Sequence, residues 1–276
     1  MTKNQSPLVD RYGADAASLE LRPEYSKLQD MLSRGSCRSF QPDPVDFNLI
    51  RLLCATALAS PTKSDLQQRD IVVLRDDALR SEIAKLVSAQ SWVAEAPCLL
   101  VFCGNNQRQR RLHELRGHPF VNDHLDAFFN AAVDAGIALS AFVTAAEAAG
   151  LGCCPISALR NESQKISDLL NLPQFVYPVA GLGVGYPAED QAKISPRLAL
   201  GATVHFDRYD ADNIDDQIAA YDERRNNQMR YYNQRAPIVF GTSMSYGWSE
   251  DKARQYAQPE RQDFGAFIRS KGFNLT

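Results

Sequence analysis

The segment from Asn122 to Ala149 constrains the fold more than any other part of this chain. It is rich in alanine, and from Ala127 onward its only charged residues are Asp134 and Glu147. A helix that is apolar on nearly all sides is normally buried on all sides. The segment therefore predicts either a central core helix or a helix at a subunit interface.

The same segment does not predict a membrane span. Its longest uncharged stretch, Ala135 to Ala146, is well short of the ~20 apolar residues that a spanning helix needs. The beginning of the chain, Met1 to Glu24, lacks the apolar core of a signal peptide. We therefore expect a cytoplasmic protein without a membrane partner.

Length and composition allow one large globular domain or two smaller ones, and they do not favour a nucleic-acid partner. The chain has 276 residues, of which 45% are hydrophobic, so a full core can form without disulfides. Its net charge of −3 lacks the positive excess of a nucleic-acid-binding protein. Residues 1–23 are polar and predict an N-terminal arm, and residues 24–276 are expected to form a single domain.

The cysteines do not predict a metal site or a disulfide framework. None lies in a Cys-x-x-Cys motif, and no histidine stands at zinc-ligand spacing from them. We expect free, mostly buried thiols, as in a reducing cytosol. The six positions are Cys37, Cys54, Cys98, Cys103, Cys153 and Cys154.

Apolar periodicity and capping residues predict the order of the secondary-structure elements. Helices are expected over 24–34, 46–59, 105–117, 122–149, 213–234 and 260–272, with another that Asp77 begins. Strands are expected over 71–74, 98–103 and 176–185, and a loop over 237–248. Helices and strands are interspersed without a regular βα repeat, which favours an α+β fold.

Several strong catalytic motifs are absent from the sequence. There is no G-x-x-x-x-G-K-[ST] phosphate loop and no G-x-S-x-G nucleophile motif. The run Gly181-Leu-Gly-Val-Gly185 resembles a dinucleotide loop, but no helix opens after it, so we interpret it as the end of a strand. The spacing of His113, His118 and His124 does not place them on one helix face, which indicates solvated side chains and no metal site.

Three polar segments remain as candidates for binding an anion. Arg34 and Arg38 flank Ser36 just after a predicted helix, and two guanidinium groups at this spacing can hold a phosphate. The other two segments are Thr62 to Ser64 and Ser195 to Arg197. Taken alone, each segment is more typical of a solvated surface.

Four stretches of the chain form a pattern in a fixed order. They are Arg34-Gly-Ser-Cys-Arg-Ser-Phe40, Ala59-Ser-Pro-Thr-Lys-Ser-Asp-Leu-Gln67, Ala149-Gly-Leu-Gly-Cys-Cys-Pro-Ile-Ser-Ala-Leu-Arg-Asn161, and Gly181-Leu-Gly-Val-Gly-Tyr-Pro187 followed by Ser195-Pro-Arg-Leu198. In their order and spacing these stretches resemble the FMN-dependent nitroreductase family. The resemblance is to the branch of oxygen-insensitive NAD(P)H nitroreductases and NADPH–flavin oxidoreductases, and it covers the chain from about residue 25 to the C-terminus.

This resemblance implies a fold and an assembly. The fold is nitroreductase-like α+β, with a central mixed, mainly antiparallel sheet flanked by helices. Two chains form an intertwined homodimer that holds an FMN at each of two interface sites. A C-terminal extension, about residues 206–276, is expected to wrap around the partner subunit.

The resemblance also implies the FMN-binding residues. One loop matches the loop that holds the phosphate, the ribityl chain and the pyrimidine edge, and a second loop reaches the flavin across the dimer. A glutamine contacts the isoalloxazine, a backbone segment covers the flavin near N5, and an arginine binds the phosphate. In that order the residues are Arg34, Ser36 and Arg38; Thr62, Lys63, Ser64 and Gln67; Gln90; Pro155, Ile156, Ser157 and Ala158; and Arg197.

The chain departs from the family pattern at several positions. Ser195 stands where the family usually has a basic residue, and Lys193 is a candidate to replace it. Gly35 replaces a polar or basic residue, and Ser157-Ala158 stands where Gly-Gly is common. Arg235 lies where this branch grips the 2′-phosphate of NADPH, so NADPH is favoured as donor, with NADH as the alternative.

The implied function is a ping-pong oxidoreductase without a catalytic side chain. NAD(P)H reduces FMN at N5, and an electron-poor small molecule such as a nitroaromatic or a quinone then takes two electrons on the same face. The alternative within this class is a flavin reductase that supplies reduced flavin. The alternative from another class is a flavin-binding protein without turnover.

Overall fold

The computed structural model describes residues 6–87, 90–188 and 193–276. The chain divides into two units. We call them the sheet unit, Ser36–Ala192 with Arg261–Thr276, and the terminal unit, Met1–Gly35 with Lys193–Glu260. Residues 1–5 of the predicted N-terminal arm lie outside the described residues.

Among the described residues, α-helices outnumber strands and contain more residues. The helices are α1 (Pro7–Tyr12), α2 (Ser26–Ser33), α3 (Phe47–Leu58), α4 (Asp77–Leu86), α5 (Trp92–Glu95), α6 (Gln107–Arg116), α7 (Leu125–Ala148), α8 (Ser163–Leu169), α9 (Ile214–Gln228), α10 (Pro237–Phe240), α11 (Trp248–Tyr256) and α12 (Phe264–Ser270). The strands are β1 (Arg69–Leu74), β2 (Cys98–Asn105), β3 (Gly152–Ile156) and β4 (Val176–Gly185).

The strands of the sheet unit form one antiparallel sheet in the order β1-β2-β4-β3. The two central strands are the most apolar, and every residue of β2 is buried. Such a strand needs cover on both faces of the sheet. The strands predicted over 71–74, 98–103 and 176–185 are confirmed, and so is the α+β class.

Helices supply this cover on both faces. Leu100 and Phe102 of β2 point to the face under α3 and α7, where the rings of Phe102 and Phe142 meet edge to face with centroids 5.8 Å apart. Leu99 and Val101 point to the opposite face, under α4, α5 and α8. The alternation of one strand therefore divides the core into two layers.

The long helix α7 is buried on one side only. Ala135 and Phe142 are fully buried against the sheet, whereas Leu125, Phe129 and Val133 are 50%, 59% and 41% exposed. By length and composition alone α7 could cross a membrane, and 39% of its most apolar stretch is buried within the protein. Its exposed apolar residues are spaced four apart and lie in one row.

The terminal unit is built from two segments that are far apart in the sequence, Met1–Gly35 and Lys193–Glu260. Tyr221 of α9 is buried and meets Trp248 of α11 edge to face, with ring centroids 5.0 Å apart. Within the segment predicted as an arm, α1 buries Leu8 and Arg11. Buried residues require contacts with the rest of the unit, so α1 is anchored in it.

Some predicted elements differ from the structure. Asp76, and not Asp77, caps α4, because its carboxylate accepts the N–H of Leu79 at 2.7 Å. The loop predicted over 237–248 contains α10 and ends at the start of α11. The strand β3 is not predicted, since glycine and proline are rare inside strands and β3 contains Gly152 and Pro155.

Gly152 permits the close approach to β3 of the loop that carries Cys37. An ideal Cβ at this position would lie 2.5 Å from Cys37 Sγ and 2.6 Å from Cys37 Cβ. We expect Gly152→Ala to lower the free energy of unfolding by about 1–3 kcal/mol through overpacking, as measured by urea denaturation. Gly201→Ala is the control, because its Cβ would meet nothing within 4 Å, and equal stability of the two variants would contradict the close contact.

Candidate cofactor site

The loop over residues 36–41 is fixed along the edge of the sheet. The N–H of Cys37 donates to the carbonyl of Cys153 at the start of β3, at 3.0 Å. The N–H of Gln41 donates to the carbonyl of Tyr186, just after β4, at 2.8 Å. Backbone hydrogen bonds at both ends therefore give this loop a defined shape beside β3.

Arg38 carries an unneutralised positive charge on this loop. Its side chain is exposed, and among the described residues it has neither a hydrogen bond nor an ion pair. Burial raises the pKa of the adjacent Cys37 thiol, so this neighbour stays neutral near pH 7. A fixed cation without a counter-ion can hold an anionic group.

A buried carboxylate holds the second predicted loop. Asp134 of α7 is 0% exposed, and its two oxygens accept the N–H groups of Lys63 at 2.9 Å and Gln68 at 3.0 Å. A buried carboxylate is tolerated only when it is paired or hydrogen-bonded. Asp134 thus fixes both ends of the loop over 63–68.

The backbone of this loop has an unusual conformation. Ser64, Asp65 and Gln67 have φ angles of 48°, 56° and 51°, in the left-handed region that non-glycine residues rarely adopt. The side chains of Lys63 and Ser64 are exposed. Strained backbone persists where its surroundings enforce it, and here Asp134 is one such constraint.

A buried arginine fixes the start of the same segment. The guanidinium of Arg69, which is 4% exposed, donates to the carbonyls at the end of α3 and beyond it, at 2.7 to 3.0 Å. Sequence reasoning missed Asp134 and Arg69 as positioning residues. The available signal for Asp134 was a charged residue inside an otherwise apolar helix, whereas Arg69 is the first residue of its strand and is followed by Asp70, so it gave no such signal. The three carbonyls belong to Leu58, Ser60 and Pro61.

The segment from Pro155 to Ala158 ends β3 and begins the 3-10 turn Ser157–Glu162. Pro155 and Ser157 are exposed, whereas Ile156 between them is 2% exposed and packs in the core. Because the exposed side chains of Pro155 and Ser157 are short, the surface beside them is accessible to a flat molecule.

Gln90 is half-buried just before α5, and its N–H donates to the carbonyl of Val87 at 2.9 Å.

The two predicted cofactor loops are attached at different levels along α7. Asp134, near the middle of α7, holds the loop over 63–68. The loop over 36–41 is hydrogen-bonded to Cys153 in β3, just beyond the end of α7. The helix from Asp134 to its last residue, Ala148, is about 20 Å long, because each helical residue adds about 1.5 Å.

The terminal unit contains the other predicted phosphate residues. Arg197 is exposed, and its guanidinium donates to the carbonyl of Ser195 at 3.2 Å. The carbonyl of Arg34 accepts a hydrogen bond from Arg11 at 2.6 Å. Lys193, the candidate replacement for a basic residue at position 195, is exposed.

Arg235 has an acidic partner in the terminal unit. Its Nε lies 3.5 Å from Oδ1 of Asp251, a side chain that is only 5% exposed. Burial acts to raise the pKa of Asp251, but hydrogen bonds from Lys252 and Tyr246 outweigh this and lower it. A second arginine of the terminal unit, Arg230, was not among the residues predicted from the sequence. It is exposed and has no charged partner in the described part of the chain.

The remaining sequence features have structural explanations. The glycines from Gly181 to Gly185 lie inside β4, as predicted. All six cysteines are free and all but Cys54 are buried, and burial raises the pKa of Cys98 and Cys103 to about 12. Within the described ranges, no group of three His, Cys, Asp or Glu side chains is placed to hold a metal ion.

An antiparallel sheet covered by helices on both faces, with exposed cations on neighbouring loops, defines an α+β protein with a candidate anion-binding site. A model of the nitroreductase family matches residues 31–186, and a model of the C-terminal domain of that family matches residues 195–276. The chain belongs to the nitroreductase family. Residues 1–30 lie outside both matches.

Relatives of similar length support this assignment. The chain is 30% identical over 253 residues to an NAD(P)H-using FMN reductase of Bacillus subtilis (strain 168), covering 90% of this chain and 98% of the relative. It is 27% identical over 242 residues to the Cr(VI) reductase of Pseudomonas sp. (strain G-1), covering 88% and 96%.

Solved structures share the fold. The structure of NfrA2 from B. megaterium superposes with a TM-score of 0.81 at 28% identity, covering 91% of this chain and 98% of that one. The NADPH:FMN oxidoreductase from Vibrio harveyi, complexed with NAD+, gives a TM-score of 0.76 at 27% identity, covering 89% and 97%. The predicted nitroreductase-like fold is confirmed.

The role of Asp134 can be tested by a single substitution. Asp134→Asn keeps the volume but leaves one backbone N–H facing an amide NH2, so we expect a loss of about 1–3 kcal/mol in the free energy of unfolding. Limited proteolysis should also cut the loop over 63–68 faster. Asp126→Asn, an exposed carboxylate on the same helix, is the control and should change stability by less than about 0.5 kcal/mol. Equal stability of the two variants would disprove the anchoring role.

Proposed function

We propose that this member of the nitroreductase family is an NAD(P)H-dependent FMN oxidoreductase that reduces nitroaromatics, quinones or related electron-poor acceptors. The observation that carries the proposal is the guanidinium of Arg38, which is exposed on a loop fixed beside β3 and has no hydrogen bond or ion pair with any residue that the structure describes. The FMN phosphate is close to a dianion and requires cations or oriented N–H groups.

The chemistry of the donor set fits FMN. Arg34, Arg38 and Arg197 would hold the phosphate, and Ser36 would bind the ribityl chain. The loop that carries Ser36 and Arg38 would also bind the pyrimidine edge, Gln90 would contact the isoalloxazine, and the backbone segment from Pro155 to Ala158 would cover the flavin near N5. The second loop, which would reach the flavin across the dimer, supplies Thr62, Lys63, Ser64 and Gln67.

When bound, FMN would supply the redox chemistry, which is two-electron transfer from NAD(P)H to the acceptor. The protein's own residues orient the ring and neutralise charge. The positive charge of Lys63, in the second loop, would favour the anionic reduced ring. The donor contact proposed for Arg235 requires its ion pair with Asp251 to be exchanged for a 2′-phosphate.

The homodimer is part of the proposal, because two observations favour a site shared between protomers. The two predicted cofactor loops of one chain are attached at levels separated by about 20 Å of the helix α7. The apolar row of Leu125, Phe129 and Val133 is exposed on the same helix, and contiguous exposed apolar surface is typical of an interface. Wrapping of the partner by residues 206–276 belongs to the same proposal.

The proposed function predicts a yellow protein. We expect purified protein to carry one FMN per chain, and we expect NADPH to bleach its absorbance under anaerobic conditions, with recovery when a quinone is added. NADH serves as the comparison donor. A colourless protein that cannot be reconstituted with FMN would refute the proposal.

Acceptor turnover separates the alternatives. A flavin reductase, the function named for the relatives, would oxidise NAD(P)H faster with free FMN than with a nitroaromatic or a quinone. A flavin-binding protein without turnover would retain FMN but would show no steady-state NAD(P)H oxidation with any acceptor.

The shared site predicts complementation between two defective variants. Arg38→Ala and Lys63→Ala homodimers should each bind FMN about 10–100-fold more weakly, because each loses a charge-assisted contact. In a heterodimer of the two variants, both defects fall in one site and the other site is intact. We therefore expect co-expressed, doubly tagged heterodimers to bind one FMN per dimer with wild-type affinity.

The same measurement of FMN affinity is made on a control variant. Lys85→Ala, an exposed lysine on α4, should leave FMN affinity unchanged. If each site were formed within one chain, both sites of the heterodimer would carry a single defect and no wild-type affinity would be recovered. That result would contradict the shared site.

A further inference from the structure

Arg11 lies before the residues that match the family, yet it is one of the most buried charged residues of the terminal unit. Its side chain is in α1, and the residue is 6% exposed. Its Nη2 donates to the carbonyls of Leu32 and Arg34, both at 2.6 Å, and Nε donates to Leu32 at 2.9 Å. Its Nη1 reaches the carbonyl of Ser195 at 3.4 Å.

These contacts join two segments that are far apart in sequence. Arg34 begins the first predicted phosphate loop, and Ser195 begins the segment that carries Arg197. The planar guanidinium presents several N–H donors in a rigid fork, so a single side chain can hold carbonyls from both segments. The backbones that carry Arg34 and Arg197 are thus fixed relative to each other by Arg11.

The backbone around Arg11 strengthens this connection. The N–H of Arg197 donates to the carbonyl of Arg11 at 2.6 Å. The guanidinium of Arg224, on α9, donates to the carbonyls of Tyr12 and Arg197. The N–H of Arg197 is therefore hydrogen-bonded to α1, and its carbonyl is hydrogen-bonded to Arg224, which also donates to α1.

We propose that Arg11 is a positioning residue for the phosphate end of the cofactor site. It sets the backbone from which Arg34 and Arg197 extend toward a phosphate, without touching the phosphate itself. The polar segment before residue 24 is, in this view, part of the binding site's framework. The inference rests on the proposed function, because it assigns to Arg34 and Arg197 the role of phosphate ligands.

The test compares FMN with riboflavin, which has the same ring and ribityl chain but no phosphate. Apo-protein is titrated with each flavin, and binding is followed by quenching of flavin fluorescence. In Arg11→Ala we expect the Kd for FMN to rise about tenfold, the effect of about one charge-assisted hydrogen bond, and the Kd for riboflavin to stay within about twofold. Arg22→Ala, an exposed arginine in the same N-terminal segment, is the matched control.

A second variant separates geometry from charge. Arg11→Lys keeps the positive charge but cannot hold carbonyls of both segments in one fork, so it should also weaken FMN binding. If Arg11→Lys binds FMN as the wild type does, charge alone is responsible and the positioning role is refuted. Arg11→Lys also decides the question if circular dichroism shows that Arg11→Ala does not fold.

Two further outcomes distinguish the inference from the function on which it rests. If riboflavin affinity falls as much as FMN affinity, Arg11 supports the unit in general and the inference is wrong. If the wild type binds FMN no better than riboflavin, the phosphate site itself is refuted, and with it the proposed function's assignment of Arg34 and Arg197. Unchanged FMN affinity in both Arg11 variants, with a normal preference of the wild type for FMN, would refute the positioning role alone.

Discussion

The candidate site depends on buried charges that bind main-chain groups. Asp134 accepts two backbone N–H groups, Arg69 donates to carbonyls after α3, and Arg11 donates to carbonyls of two separate segments. A buried charge without partners is strongly unfavourable, so each of these side chains has a large energetic preference for one loop arrangement. Each predicted anion-binding segment has such an anchor behind it or, for residues 36–41, a ladder of backbone hydrogen bonds.

This arrangement separates the residues that shape the site from the residues that would contact a ligand. Arg38 and Lys63 remain exposed, while Asp134, which fixes the backbone at Lys63, and Cys153, which fixes the backbone beside Arg38, are buried. The free energy needed to order the loops is supplied by the folded core, so a ligand need not supply it on binding. A substitution at an anchor therefore changes loop geometry, whereas a substitution at an exposed cation changes a single contact.

Much of the fold could be predicted from the sequence, because hydrophobic periodicity is strong where elements are buried. The apolar run of β2 and the helix over 122–149 predicted the centre of the sheet unit. Hydrophobic periodicity did not predict β3, because Gly152, which permits the close approach of Cys37, has a low strand propensity. The cationic loops were found as local motifs, but their anchors were not, since Asp134 and Arg11 act over sequence separations that no local pattern encodes.

The row of Leu125, Phe129 and Val133 connects the fold to the assembly. The sequence predicted a helix buried on all sides, and the protomer buries only the side that faces the sheet. The same helix carries Asp134, which holds the predicted cofactor loop over 63–68. If a second copy covers the exposed row, that copy also lies near the loop held by Asp134. The burial of α7 and the completion of a two-chain site then have one physical cause, the removal of the same apolar surface from water.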